Sequence, residues 1–168
     1  MTVSVSKDLE NIKQSLVYFL RHEQYTKGGE TKTLKEFFQG LVVEHAFPDN
    51  LENLTLPFIG IEFNTEPSVS YPTFGYKLNE YSFSIYGFCG GHDSVGLNRL
   101  QRDQLMNDIK RLLEEKEYLP YYEFPDFSSS SEDLEVTDVN ARTIEPTSPV
   151  QAERWRFVID LTLKKFRN

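Results

Sequence analysis

Residues 81–115 read YSFSIYGFCGGHDSVGLNRLQRDQLMNDIKRLLEE, and their patterning decides the fold. Up to Phe88 the stretch alternates, with Tyr81, Phe83 and Ile85 on one face and Ser82, Ser84 and Tyr86 on the other. That period of two predicts a half-buried strand, which starts near residue 76. Gly87 marks either a bulge or a close approach of another backbone. Gly90-Gly91 ends the strand, and the period then changes to three and four. Leu97, Leu100, Leu105, Ile109, Leu112 and Leu113 form one expected stripe of a long amphipathic helix, which Asp93 or Ser94 can cap.

Working outward, residues 8–21 predict a helix, with Leu9, Ile12, Leu16, Phe19 and Leu20 at helical spacing and Ser6 as N-cap. Gly28-Gly29 breaks the chain after it. Residues 33–47 stay ambiguous between a short helix (Leu34, Phe37, Phe38, Leu41) and the start of a strand at Leu41-Val42-Val43. Residues 56–63 alternate as a strand. The segment 64–74, with Pro67 and Pro72, reads as a loop. Residues 118–125, with Pro120 and Pro125, read as an edge strand or extended segment. Residues 126–133 read as an exposed loop or hairpin tip, 134–144 as a weak strand and 145–152 as a loop. Residues 154–165 form a strong strand with Trp155, Phe157, Ile159, Leu161 and Leu163 on one face.

The expected fold is therefore α+β in one domain, residues 1–168. A mostly antiparallel or mixed sheet of about four or five strands packs in two layers against two main helices, with extended loops.

The 168 residues suffice for one sizeable core. Thirteen Phe and nine Tyr supply it and exclude global disorder. The formal net charge of -8 argues against nucleic-acid binding as the main activity. One cysteine, Cys89, excludes an internal disulfide and any Cys-rich metal centre. Neither a secretory leader nor an apolar run long enough to span a membrane is visible. The expectation is a soluble protein made in a reducing cytoplasm.

Few residues carry chemistry. Cys89, His92 and Asp93 lie together at the strand–helix turn, where a thiolate beside a histidine could act as a nucleophile. The simpler reading is that the glycines permit the turn and Asp93 caps the helix. His22, His45 and His92 match no zinc spacing. Gly90-Gly91 lacks the Lys-Ser or Lys-Thr of a phosphate loop. Glu114, Glu115 and Glu117 read as a solvated helix end rather than paired catalytic carboxylates. The chain thus reads as a non-enzyme without cofactor or metal. Tyr118, Tyr121, Tyr122, Phe124 and Phe127 crowd ten residues. They fit equally an edge strand packed on its own helix or a subunit interface, where aromatics are enriched.

Four stretches resemble the tail terminator (tail completion) proteins of long-tailed bacteriophages. They are the opening helix DLENIKQSLVYFLR, the strand LPFIGIEFN, the strand–turn–helix unit of residues 81–115, and the closing pair VTDVNARTIEP and ERWRFVIDLTLKKF. The likeness lies in order, lengths and patterning over roughly residues 8–165. It implies a virion structural protein, assembled in the host cytoplasm, that forms a hexameric ring at the head-proximal end of the tail tube. Such a ring ends tube growth and joins the tail to the head connector. Its partners would be itself, the tube protein and connector or neck proteins, with DNA only as passing cargo and no membrane. The resemblance carries over no catalytic residue. Alternatives are another neck, head-completion or tail-tube-like virion protein, a small cytosolic enzyme using Cys89 and His92, and an adaptor that binds a host protein through its acidic face.

The charge is unevenly placed. Residues 114–138 hold nine acids and one base, Lys116, and nine minus one equals the whole net charge of the chain. Residues 139–168 hold six bases and three acids, for +3. Asp126, Glu132, Asp133, Glu135 and Asp138 mark an expected acidic loop that faces the bore or a partner.

Overall fold

The structure is a computed structural model that describes residues 3–46, 54–63, 68–73, 76–90, 95–123, 128–145 and 154–167. Helix α1 (Val3–His22) is followed by a short hairpin, β1 (Gln24–Lys27) and β2 (Glu30–Thr33). Next come the one-turn helix α2 (Leu34–Phe37) and strands β3 (Val42–Glu44), β4 (Phe58–Phe63), β5 (Ser68–Thr73) and β6 (Tyr76–Gly90). Helix α3 (Val95–Glu115) leads into β7 (Tyr118–Glu123), β8 (Ser128–Ile144) and β9 (Arg154–Arg167). Among the described residues the main sheet has seven strands, in the order β3-β4-β6-β9-β8-β7 with β5 paired to the start of β6, and only β3 and β4 run parallel there. The chain is α+β with a mixed sheet, as its patterning implies, but the sheet is larger than four or five strands.

The central pair sets the faces. Tyr81, Phe83, Ile85 and Cys89 of β6 stand opposite Leu163, Leu161, Ile159 and Trp155 of β9, and all are buried beneath the helices. Gly87 lies opposite Phe157, and a Cβ there would sit 1.9 Å from the Phe157 ring. The glycine is thus required by a close approach. The opposite face is drier than a simple wet face, because Phe58, Phe88 and Val158 are buried on it. Arg156 lies over the Phe88 ring, and the Ala46 carbonyl lies over Gly60.

Helix α1 joins the two edges of the curled sheet. At the β7 edge, Ser15 Oγ accepts from Tyr122 N at 2.9 Å and donates to Tyr122 O at 3.3 Å. At the β3 edge, Arg21 donates to Val43 O. Unpaired edge groups invite pairing with other chains, so these side chains protect the sheet. The apolar face of α1 is the expected one, but Ser6 lies inside the helix rather than at its cap. Ser in a helix interior costs only about 0.5 kcal/mol relative to Ala, which packing of the later turns offsets.

Two other segments differ from their sequence reading. Residues 68–73, expected as loop, form β5, which gives the first residues of β6 a partner where β4 does not reach. Residues 128–133, expected as loop or hairpin tip, belong to β8; residues 126 and 127 of that expected loop lie outside the described residues. Residues 146–152 and the proposed caps Asp93 and Ser94 also lie outside them. The ambiguous stretch 33–47 is both things: Thr33 and Glu36 form a capping box for α2, and Val42 begins β3.

In β8, Asp138 has φ 50°, and the register shifts between Thr137 and Asn140. The bulge changes the phase of the strand, so inward residues pass from Leu134 and Val136 to Val139 and Ala141.

Candidate functional site

The β7–β8 hairpin carries those of the aromatic and acidic residues singled out above that the structure describes, apart from Asp138, which lies at the bulge further along β8. Glu135 pairs in register with Lys164, three residues before β9 ends, so the start of β8 reaches past β9 with β7 as its partner. The acidic segment is therefore a β-hairpin projecting from one end of the sheet, not a loop. Glu132 and Asp133 are on strand β8, Glu135 is half-buried, and Asp138 is exposed at the bulge. Asp126, Phe124 and Phe127 lie outside the described residues.

Alternation along β7 divides the aromatic set. Tyr121 is only 2% exposed; its hydroxyl accepts from Asn11 Nδ2 at 3.1 Å, and Lys165 Nζ stands 3.9 Å from its ring centre. It therefore packs the edge strand on its own helix. Tyr122 is half-buried with its ring 4.8 Å from that of Tyr18, and burial raises its pKa. Tyr118 is 50% exposed, between the exposed Glu117 and the buried Leu119. Of the three described tyrosines, Tyr118 presents most surface to a partner.

Cys89 does not have the setting of a nucleophile. Its thiol is fully buried, and desolvation pushes its pKa up to about 12. A reactive cysteine needs the reverse, a stabilised thiolate. His92 and Asp93 lie outside the described residues. Among the described residues, no group of three or more His, Cys, Asp or Glu side chains is placed to hold a metal ion. Among them, too, no helix is long and apolar enough to cross a membrane.

Two features were not read from the sequence. One is Arg102, 2% exposed on the inner face of α3, 5.0 Å from the Trp155 ring and paired with Asp103 and Glu145. It clamps α3 to the ends of β8 and β9. Its signal was its spacing, since Asn98, Arg102, Leu105, Ile109 and Leu112 form the buried stripe of α3. Leu97 and Leu100 do not belong to that stripe. At 100° per residue they point about 80° and 140° away from Leu105, and they are 54% and 51% exposed.

The second feature follows from that displacement. Leu97 and Leu100 form one wall of an open groove of about 540 Å³, with Phe37 and Phe38 opposite. Lys27 lies 5.1 Å from the Phe38 ring centre and 5.7 Å from that of Phe37. The same lysine pairs with Asp108 at 2.9 Å, and Tyr25 donates to Asp108 at 2.6 Å, so the β1–β2 hairpin is pinned to α3. Burial, and then the Asp108 carboxylate, raise the Tyr25 pKa. The lining is mixed, with Lys27, Glu36, Gln39, Gln101 and Gln104 beside the four apolar side chains. The chain matches no protein-family model and no curated protein.

Proposed function

We propose that the protein is a virion structural component of the tail-terminator type. Copies close into a ring, hexameric by the resemblance, at the head-proximal end of a phage tail tube. The ring ends tube polymerisation and joins the tail to the head connector. The observation that carries this reading is the arrangement of the four resembling stretches. They fold as α1, β4, β6–α3 and β8–β9, and they pack as one two-layer unit rather than as scattered pieces. The polar, acidic projection beside them supports the same reading. A negative surface repels DNA phosphates, so an acidic hairpin facing the bore would keep passing DNA from adhering.

The test is assembly on tail tubes. Purified protein mixed with tubes should add one ring to a single tube end in negative-stain images and should stop further tube growth. Tubes that elongate unchanged, with the protein remaining monomeric beside them, would sink the proposal. A ring that forms on head connectors and not on tubes would point to another neck component.

A further inference from the structure

We infer that the open edge of β8, from Val139 to Thr143, pairs antiparallel with the same edge of a second copy of this chain, about a two-fold axis at Ala141. The free protein is then a dimer in solution. This goes beyond the ring proposal and does not rest on it.

The other edges of the sheet each carry a device against pairing. Arg21 holds Val43 O on β3, Ser15 holds Tyr122 N and O on β7, and β5 contains Pro72. The strand β7 accompanies β8 only as far as Val136, whose N–H donates to Glu117 O at 2.9 Å. From Asp138 to Thr143, β8 has no proline, and no strand of the described residues pairs with the side of it that faces away from β9. Asp138, Asn140, Arg142 and Thr143 are exposed there, and Val139 and Ala141 are half-buried.

Alternation decides which groups this edge offers. Val136 turns its N–H and C=O to the β7 side, so Thr137 turns its own to β9, opposite Thr162. Past the bulge, Asn140 stands opposite Asp160, in phase with Thr162 on β9, and so it faces β9 again. Val139, Ala141 and Thr143 therefore direct their backbone groups outward. These positions are symmetric about Ala141. Antiparallel pairing of two copies at that centre sets Ala141 opposite Ala141 and Val139 opposite Thr143, so outward donors meet outward acceptors.

Charge favours the same orientation. Glu145 is held by Arg102, and Asp160 accepts from Ser84 with Arg142 Nε 3.9 Å away. The Arg142 side chain is 66% exposed and free to reach across the edge. In the antiparallel pair, each Arg142 lies opposite Asn140 and diagonal to Asp138 of the other copy, a separation that a long side chain spans. A parallel pair would set Asp138 beside Asp138 and Arg142 beside Arg142, and like charges oppose it. Contact of one surface with itself is isologous and closes at two copies.

The experiment uses variants of the full chain. Asp138→Lys gives an edge with two bases, and Arg142→Glu gives an edge with two acids. Ala141→Pro removes an outward N–H and leaves the β9 ladder its bonds. Circular dichroism and thermal melting check that each folds as the parent does. Light scattering over a range of concentrations should bring the parent towards twice its 19.6 kDa. Each charge variant alone should pair at least about tenfold more weakly, because like charges then meet on both diagonals. An equimolar mixture of the two should recover pairing, because each basic edge then meets an acidic one. The folded Ala141→Pro variant should stay monomeric. A parent that is monomeric at every concentration, charge variants that each pair like the parent, a mixture that stays monomeric, or a folded Ala141→Pro variant that still dimerises overturns the inference. A parent that forms rings in solution and no dimer overturns it too, and supports the ring proposal. The ring proposal itself fails on a different result, tubes that elongate unchanged beside the protein.

Discussion

Gly87 offers the sharpest test of how the core is built. Replacing it with alanine would place a Cβ 1.9 Å, 2.1 Å and 2.5 Å from Cε1, Cζ and Cδ1 of Phe157. Carbon atoms pack at about 3.5–4.0 Å, so the ring would have to retreat by roughly 1.6 Å or more. Phe157 is fully buried, directly opposite Gly87 across the β6–β9 ladder, and has no solvent to retreat into. Overpacking of this kind costs about 1–3 kcal/mol, and so large a displacement puts Gly87→Ala near 3 kcal/mol. In a chain of this length that corresponds to a fall in Tm of about 6–12 °C. Urea denaturation of the parent, Gly87→Ala, Phe157→Leu and the double variant forms the test. The double variant should be less destabilised than the sum of the singles by at least about 1 kcal/mol, because the smaller side chain relieves the clash. A Gly87→Ala variant within about 0.5 kcal/mol of the parent, or strict additivity in the cycle, would refute the close-approach argument.

Other expectations concern reactivity, edges and pH. Cys89 should resist alkylation by iodoacetamide in the native protein and react at an ordinary rate only in denaturant; rapid native labelling would show that the thiol is accessible. Burial raises the Cys89 pKa from 9.0 to about 12, so its native form holds a proton that the unfolded form releases first. The stabilising contribution of this group is complete below pH 9 and is lost as pH rises from there towards 12. Cys89→Ala should therefore show a shallower decline of stability across that window than the parent. Ser15→Ala removes both side-chain bonds to Tyr122 and should cost about 1 kcal/mol, with faster hydrogen exchange at the Tyr122 amide as the specific sign. Asp108→Ala should loosen the β1–β2 hairpin without unfolding the sheet, visible as proteolysis confined to residues 24–33.

Long periodicity makes an element legible in the sequence. The helix through Leu9, Ile12 and Leu16, the strand through Tyr81, Phe83 and Ile85, and the strand through Trp155 to Leu163 were all legible. Each repeats one spacing long enough that a single buried face follows from it. The hairpin at Lys27-Gly28-Gly29-Glu30 was legible in principle, since both glycines take positive φ, as a two-residue turn between strands requires. The sequence alone marks only a break there, because Gln24–Lys27 is four residues long and mostly polar. The acidic character of residues 114–138 was visible by counting, but its form as a hairpin was not. Serine-rich Ser128–Asp133 has weak intrinsic strand preference and becomes strand by pairing with β7.

Fold class, the two main helices, the central strand pair and the location of the charge are all written into the linear order of residues. These depend on local periodicity and composition, which a chain carries whatever it packs against. Which apolar residues are left over depends instead on how the elements meet in three dimensions. Leu97 and Leu100 look like core by type but are displaced from the buried stripe of α3 by the helical angle, while Arg102 occupies that stripe because Trp155, Asp103 and Glu145 receive it. Likewise, Tyr121 and Tyr118 are the same residue type on the same strand, yet the pleat turns one onto α1 and the other outward. Side-chain type sets what burial is worth; the angle at which each element meets its neighbours sets which side chains are buried.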